Sequence, residues 1–301
     1  MRAQTILFDS DIVRVRAVHC CAPAGGCAPI EWPDTHGIVF AESGVFVKHL
    51  GRHQSVVADR GHAVFFTANR PYRVSHPVPG GDDCLVLELT RSALIEALQA
   101  VDPPSAERPA SPFRRAGVPL PAHVIVRRRL LHHRIVRGVA GALEVEEGAV
   151  ALLRESVRVS AGHTAHAPAP ERESIRRADI AGAAQLLIAS GPAERWTLRL
   201  LARRIGCSPF HLAHVFRDTV GVSIHQYQLR VRLGAALDEV VDSDRGLSAI
   251  AVDAGFTHHS HFSAAFRRAF GVTPSALRRD ATTRDVRRLR KILTAPSVQQ
   301  G

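Results

Sequence analysis

Long apolar runs are absent from this chain of 301 residues. No stretch reaches the roughly 18 consecutive apolar residues that a membrane-crossing helix needs. The first residues, MRAQTILFDSDIVRVRAV, also lack the apolar core of a secretory signal peptide. These absences predict a soluble, cytoplasmic protein with no membrane partner.

Cysteine is scarce, and lysine is almost missing. The five cysteines are an odd number, and the grouping of three of them at Cys20, Cys21 and Cys27 does not fit a secreted disulfide framework. Lys48 and Lys291 are the only lysines, so arginine supplies nearly all the positive charge. Arginine can bind phosphates and guanine edges through two hydrogen bonds at once.

Positive charge is concentrated in the second half of the chain. Residues 1–100 contain 9 basic and 10 acidic side chains, whereas residues 101–170 have a net charge of +4 and residues 171–301 a net charge of +8. The length of the chain suggests two domains. A nearly neutral front and a basic back fit a sensor joined to a phosphate-binding module.

One pattern occurs twice in the C-terminal third. The copies are LRLLARRIGCSPFHLAHVFRDTVGVS at residues 198–223 and LSAIAVDAGFTHHSHFSAAFRRAFGVT at residues 247–273. The residues that recur at identical spacing are Leu198, Ala202 and Gly206 in the first copy and Leu247, Ala251 and Gly255 in the second. The second copy has one extra residue in its turn.

Each copy predicts a helix, a tight turn and a second helix. Apolar side chains recur at the i, i+3, i+4, i+7 spacing of one helix face, at Leu198, Leu201, Ala202 and Ile205. Gly206 stands where this helix would end, because glycine adopts the left-handed conformation without steric cost. Ser208 and Pro209 then have the residue types of a helix start. Two such units close together indicate two helices offered to DNA.

Residues 198–279 resemble the C-terminal domain of the AraC/XylS family of bacterial transcription regulators. The residues that carry the resemblance are Leu198, Ala202, Ser208, His211, Leu212, Phe216, Arg217, Gly221, Tyr227, Arg230, Ile250, Ala251, Gly255, Phe256, Ser260, Phe262, Phe266, Arg267, Phe270, Gly271, Thr273, Pro274, Ser275, Arg278 and Arg279. With a lead-in helix from about Arg177, the resemblance implies an all-α DNA-binding domain of seven helices over 177–279.

The resemblance also implies how this domain is divided. Two helix-turn-helix units, at about 198–219 and 247–270, would be joined by a long helix at 224–241. That helix would be about 27 Å long, which suits recognition helices in adjacent major-groove segments about one helical turn apart. Residues 162–171 are the predicted linker before the domain, and residues 280–301 are a basic tail.

The outward faces of the two recognition helices contain the candidate DNA-binding residues. After the buried stripes are removed, the remaining side chains are Phe210, Ala213, His214, Arg217, His259, Ser260, His261, Ser263, Ala264, Arg267 and Arg268. By position in the family motif, the residues that match base-contacting sites are Phe210, Ala213, His214, His259, Ser260, His261 and Ala264. The arginines are assigned to phosphate contacts, which position the protein on DNA but do not specify the base sequence. The family often has arginine where this chain has His214 and Ala264, so the commonest bidentate guanine contacts are missing.

Residues 1–161 resemble the cupin-like sensor domain of many family members, most closely at 61–89. Short runs rich in β-forming residues between Gly, Pro, Asn and Asp predict a small β-barrel or sandwich. The predicted strands are Ile12–Val18, Gly37–Phe40, Val45–Lys48, Ser55–Val57, Ala63–Thr67, Tyr72–Ser75 and Leu85–Leu89. The expected fold class is therefore α+β in two domains, an N-terminal cupin-like β-barrel with flanking helices and a C-terminal all-α double helix-turn-helix.

Helices are predicted between the barrel and the linker. They are Arg91–Val101, Ala122–Ala140 and Leu143–Ala161, with Pro103, Pro104, Pro109 and Pro112 making a loop after the first. Many relatives use helices of the segment from about 121 to 161 to pair subunits, which implies a homodimer. The alternative is that these helices only cover an open side of the barrel.

Catalytic motifs are missing from the front of the chain. Metal-dependent cupin enzymes use a His-x-His pair, and none occurs in residues 1–100. The Gly25-Gly26 pair is not followed by the Lys-Ser/Thr of a phosphate-binding loop. A DNA-repair relative needs a four-cysteine zinc cluster at fixed spacing, which this chain does not match. We expect a protein that is not an enzyme and has no cofactor.

A cysteine group in the front half is a candidate thiol- or metal-responsive element. Its members are Cys20, Cys21, Cys27, Cys84 and His76. In a reducing compartment such groups more often indicate metal or redox chemistry than disulfides, and zinc or copper accepts both ligand types. The alternative is simple packing, because free cysteine is among the most buried residues.

The sequence thus predicts a transcription regulator of the AraC/XylS type, with activation as the commoner mode in that family. Its expected partners are double-stranded promoter DNA, an unidentified small-molecule effector and, for an activator, RNA polymerase. The alternative is a cupin-type metal-dependent enzyme, or a thiol or metal sensor, fused to a DNA-binding module.

Overall fold

The computed structural model describes residues 2–21, 28–51, 54–162 and 171–282. The front region, up to residue 162, is rich in strands, and the region from residue 171 is helical. Three predicted features lie outside the described residues: Cys27 of the candidate cysteine group, the linker segment 163–170 and the tail from residue 283.

Nine strands occur in the described part of the front region. They are β1 (Arg2–Asp9), β2 (Val13–Cys20), β3 (Gly37–Gly44), β4 (Phe46–His49), β5 (Ser55–Ala58), β6 (His62–Phe66), β7 (Arg73–Ser75), β8 (Asp82–Leu89) and β9 (Gly117–Pro119). Six of them form a large sheet in the order β1-β2-β8-β3-β6-β9, and three form a small sheet in the order β5-β4-β7. The pairings are antiparallel.

We predicted a small β-barrel or a sandwich, with a cupin-like barrel as the expected fold; the described strands form two sheets and no closed barrel. The chain leaves the large sheet at Gly44, whose φ of +68° is readily adopted only by glycine, and then enters β4 of the small sheet. The outer strands β1 and β9 lie at opposite edges of the large sheet. Sequence reasoning also missed these two strands, since neither forms a β-rich run bounded by turn residues.

Four helices follow the strands or lie between them. They are α1 (Arg91–Gln99), α2 (Pro103–Ala106), α3 (Ala122–Val136) and α4 (Ala142–Gly162). The loop predicted at Pro103 and Pro104 is wrong there, because proline is tolerated in the first turn of a helix and α2 begins on it. The chain turns at Gly138, with a φ of +64°, so α3 ends before the predicted Ala140.

Seven helices form the described C-terminal region. They are α5 (Glu171–Ser190), α6 (Leu198–Ile205), α7 (Pro209–Val220), α8 (Ile224–Asp242), α9 (Leu247–Asp253), α10 (His259–Phe270) and α11 (Pro274–Thr282). The lead-in helix α5 begins at Glu171, earlier than the predicted Arg177. The boundaries of α6 to α10 lie within a few residues of the predicted units.

The two regions share one apolar core. The buried cluster that contains Leu130 of α3 also contains Leu233 and Leu237 of α8. Ionic contacts border it, and Arg60 donates a 2.7 Å hydrogen bond to Asp238 of α8. Arg129 of α3 lies 2.9 Å from the same carboxylate. The front region is therefore packed against the helix that joins the two helix-turn-helix units.

A buried carboxylate anchors α3 to the large sheet. Glu42 of β3 forms ion pairs with Arg128, which is 1% exposed, and with Arg129. Burial by itself raises the pKa of Glu42, but the guanidinium of Arg128 and the nearby His132 outweigh it and hold this pKa at about 2. Arg128 of α3 can be fully buried because its charge is paired.

Candidate nucleic-acid interface

The first helix-turn-helix unit consists of α6, a short turn and α7. At the end of α6, the backbone N–H groups of Gly206 and Cys207 donate to the carbonyl of Ala202 at 2.9 and 3.0 Å. Gly206 has the left-handed φ of +80° that this geometry needs. The hydroxyl of Ser208 then accepts a 3.2 Å bond from the N–H of His211 and caps α7.

The second unit repeats this geometry with α9 and α10. The turn is made by Gly255, again with a φ of +80°, and the N–H of Phe256 donates to the carbonyl of Ala251 at 2.9 Å. The residue before α10 is His258, and its side chain does not cap the helix. The first turn of α7 is therefore capped by the side chain of the preceding residue, whereas the first turn of α10 is not.

Each recognition helix buries one face and exposes the other. In α7 the buried side chains are Leu212, Val215 and Phe216, and in α10 they are Phe262, Ala265 and Phe266. Ala202 and Ala251, each 1% exposed, let the paired helices approach closely. The buried residues match between α7 and α10, so the exposed positions match as well.

The predicted DNA-binding residues lie on these exposed faces. Phe210, His214, Arg217, His259, Ser260, His261, Ala264, Arg267 and Arg268 are exposed, and Ala213 and Ser263 are half-buried. Phe210 is 89% exposed, although it is a large apolar side chain near the start of α7. The ring is therefore accessible to any molecule that binds this face of α7.

Two of the candidate histidines have neighbours that orient them. Nε2 of His214 lies 3.2 Å from the carboxylate of Asp218 one turn later, and Arg177 of α5 pairs with the same carboxylate at 2.6 Å. The ring of His261 contacts Phe256 edge-on at 5.4 Å between centroids. Sequence reasoning did not identify Asp218, although its i, i+4 spacing from His214 was a usable signal.

The exposed arginines are available for phosphate contacts. Within the described residues, the side chains of Arg217, Arg267 and Arg268 form no ion pair. Sequence reasoning missed Arg203 and Arg204, which are also exposed, near the end of α6. Two adjacent arginines on the first helix of the unit were the sequence signal for these phosphate-contact candidates, since that helix crosses the DNA backbone.

The spacing of the two units is set by α8. This helix has 19 residues, one more than predicted, and is about 28 Å long at 1.5 Å per residue. Its start is fixed by a capping box in which Ser223 and Gln226 satisfy each other's backbone N–H groups. A rigid helix of this length can hold two recognition helices about one turn of DNA apart.

Comparison with known proteins identifies this part of the chain. Residues 201–280 match the family model described as "Helix-turn-helix domain". The region is a helix-turn-helix domain of the AraC/XylS type. This AraC-type domain includes the two units and α8 that joins them, as the sequence predicted.

Curated relatives match stretches no longer than this domain. The probable transcriptional regulator LumQ of Photobacterium leiognathi is 39% identical over 61 residues, which are 20% of this chain and 25% of the relative. The HTH-type transcriptional regulator GlxA of Rhizobium meliloti is 38% identical over 79 residues, 26% of this chain and 24% of the relative. The chain thus spans about a quarter of the length of these two relatives.

Solved structures include both isolated AraC-type domains and a longer protein. An AraC-type transcriptional regulator from Chromobacterium violaceum is 23% identical, with a TM-score of 0.34, over 37% of this chain and 97% of that one. ToxT from Vibrio cholerae O395 is 12% identical, with a TM-score of 0.34, over 90% of this chain and 97% of that one.

Outside the AraC-type domain, the structure brings part of the predicted cysteine group together. Ligand atoms of Cys20, His76 and Asp82 all lie within 4.8 Å of one another, although the sequence had not pointed to Asp82. Sγ of Cys84 lies 2.9 Å from the carboxylate of Asp82. Sγ of Cys21 lies 3.0 Å from Nε2 of His19.

Among the described residues, no helix is both long enough and apolar enough to cross a bilayer.

Proposed function

We propose that this protein is a transcription regulator that binds promoter DNA with α7 and α10. The observation that carries the proposal is the repeated exposed face of the two recognition helices. Ser260 occupies in α10 the place of Phe210 in α7, and Arg267 occupies the place of Arg217. Two matching faces joined by a rigid helix fit two successive segments of one major groove.

The exposed side chains divide into two kinds by their chemistry. His214, His259, His261 and Ser260 have donors and acceptors for base edges, and Phe210 and Ala264 fit a thymine methyl group. Arg217, Arg267 and Arg268 supply charge for phosphates, as do Arg203 and Arg204 on α6. Because the usual arginine pair for guanine is absent, we propose that the preferred site is less dependent on guanine than the sites of typical relatives.

We propose that the front region is a cupin-like sensor for a small molecule. A cavity of about 950 Å³ lies between the two sheets. Its wall combines the aromatic ring of Trp32 with the charged side chains of Arg14, Arg16, Glu31 and Glu88. Such a wall suits an organic ligand with at least one polar or charged group.

Binding in that cavity can reach the DNA-binding region through α8. Arg60 and α3 contact α8 directly, so a change in the front region alters the packing of the helix that spaces the two units. A relative named urease operon transcriptional activator, from Escherichia coli, is 33% identical over 93 residues. We propose activation as the mode of control, which makes RNA polymerase a protein partner.

We propose a regulator and not an enzyme. The relative AdaA of Bacillus subtilis, a bifunctional transcriptional activator and DNA repair enzyme, is 28% identical over 85 residues that are 40% of its length. The match covers less than half of AdaA, so the repair activity in that name is not proposed for this chain. Homodimerisation remains a prediction. Leu143 of α4, whose side chain is 67% exposed, is a candidate for an apolar contact between subunits. Analytical ultracentrifugation measures the oligomeric state.

The test is selection of binding sites from random double-stranded DNA by the full-length protein. We expect one enriched motif with two half-sites about 10–10.5 base pairs apart. Affinity for the selected duplex should fall steeply with salt, because each neutralised phosphate releases counterions. Absence of any enriched motif, or an affinity that salt does not change, contradicts the proposal.

A further inference from the structure

Four side chains that can bind metal meet where the two sheets approach each other. Cys20 is the last residue of β2 and pairs with Asp82, the first residue of β8. Val18 and Cys84 form the next pair on the same face of the large sheet. His76 follows directly after β7 of the small sheet. The group therefore joins both sheets at one end of the front region.

The ligand atoms are close enough for a single ion. One atom each from Cys20, His76 and Asp82 lies within 4.8 Å of the others. Nε2 of His76 is 2.5 Å from Oδ1 of Asp82, and the thiol of Cys84 donates to Oδ2 at 2.9 Å. In a tetrahedral zinc site with bonds of about 2.0–2.3 Å, ligand atoms are about 3.3–3.8 Å apart. The atoms of Cys20, His76 and Asp82 lie close to this range of separation, and Cys84 adjoins them through Asp82.

The partners of Asp82 are unusual for a buried carboxylate. Asp82 is 5% exposed, and among the described residues its ion-pair partner is His76, with no arginine or lysine. Its other side-chain neighbour is the thiol of Cys84. Both side chains that hydrogen-bond to this carboxylate, an imidazole and a thiol, are of types that also bind metal ions.

We infer that the front region binds one zinc-class divalent ion through Cys20, His76 and Asp82, with Cys84 as the fourth ligand. The mixture of two sulfur atoms, one imidazole and one carboxylate fits zinc. Calcium and magnesium take oxygen ligands and do not fit this set. Copper(I) prefers sulfur and would leave the carboxylate unused.

The ion has a route into the site. All four proposed ligands line the cavity between the sheets, which is open to solvent. Once bound, the ion would tie the end of β7 to β2 and β8 and hold the two sheets together at that end. This inference concerns the front region alone and is tested without DNA.

The experiment uses the untagged full-length protein, reduced and freed of metal with a chelator. Zinc binding is titrated against a chromophoric competitor, and cobalt(II) is added in parallel to detect thiolate-to-metal charge transfer. We expect one zinc per chain and a cobalt charge-transfer band. Cys20→Ser and His76→Gln should each weaken zinc binding by more than about 100-fold, because losing even a group behind a ligand costs about 10–100-fold.

Matched controls separate this site from other cysteines. Cys21→Ser and Cys207→Ser should bind zinc like the unmodified protein, since Cys21 contacts His19 and Cys207 lies in the AraC-type domain. Circular dichroism of the metal-free variants checks that each one folds. Three results would overturn the inference: no zinc uptake at micromolar free zinc, unchanged affinity in folded Cys20→Ser, or a loss of affinity confined to the two controls.

Discussion

Tyr227 of α8 donates a hydrogen bond from its hydroxyl to the carboxylate of Asp59, which follows β5 in the front region. Both residues are buried, at 4% and 3% exposure. The same carboxylate accepts from the N–H of Gly61 and lies 2.7 Å from Nδ1 of His62. A residue of the AraC-type domain therefore satisfies a buried acid of the front region.

We expect Tyr227→Phe to lower the free energy of unfolding of the full chain by about 1–3 kcal/mol. The change removes the donor to Oδ2 of a buried carboxylate, while Oδ1 keeps its partners Gly61 and His62. Urea denaturation followed by circular dichroism measures the effect. In an Asp59→Asn background the same change should cost less, because the partner charge is gone. A loss below about 0.5 kcal/mol in the unmodified background would show that the bond contributes little.

We expect His214→Ala and His261→Ala to change which bases are preferred, whereas Arg217→Ala weakens binding to all sequences alike. Base contacts are worth roughly 1–3 kcal/mol of discrimination each, and phosphate contacts carry none directly. Binding-site selection on each variant makes the measurement. Arg137→Ala is the control, because Arg137 is exposed beside α3 and outside the domain. If both histidine variants keep the base preferences of the unmodified protein, these faces of α7 and α10 do not contact the bases.

Phe210→Ala should reduce DNA affinity without reducing stability. The ring is 89% exposed, so its loss removes almost no packing, and the free energy of unfolding should stay within about 0.5 kcal/mol. Fluorescence anisotropy with the selected duplex, together with urea denaturation, separates the two quantities. Val136→Ala on α3, at 61% exposure, is the matched apolar control and should alter neither. A Phe210→Ala variant that is destabilised but binds DNA with normal affinity would contradict this prediction.

The fragment from Arg172 to the end should bind double-stranded DNA without the front region. It contains both helix-turn-helix units and the buried cluster around Leu201, Leu212 and Phe216. It also uncovers Leu233 and Leu237, which pack in the core shared with α3, so we expect it to be less stable than the full chain. With roughly six phosphate contacts, affinity should fall about 10³-fold between 50 and 200 mM salt. A folded fragment with no affinity at low salt contradicts this prediction.

Stability should depend on pH through Lys48. Burial lowers the pKa of Lys48 to about 7, and Arg70 adds to this effect. Between pH 7 and 10.5 the unfolded chain therefore binds more protons than the folded one, and stability rises with pH by at most about 1.4 kcal/mol per unit. Lys48→Met should remove this rise in urea denaturation between pH 7 and 9.5. Lys291→Met, a change at the other lysine, should keep it.

The helix-turn-helix units could be predicted from sequence because their signals are local. The left-handed turns at Gly206 and Gly255, the cap at Ser208 and the spacing of buried residues all act within about two helical turns. Repetition of the pattern then identified the exposed faces, since the buried stripe of each helix leaves one side for solvent. The one-residue difference in α8 shows how closely local rules set such boundaries.

Tertiary structure decided the arrangement of the front region and its contact with α8. Cys20 and His76 could be named as candidates, but Asp82 joined them only because β2 pairs with β8 in a register that no local pattern encodes. Tyr227 and Asp59 meet across 168 positions of the chain. Helix periodicity arises from neighbours in sequence, whereas strand pairing and the partners of buried charges depend on which distant surfaces exclude water together.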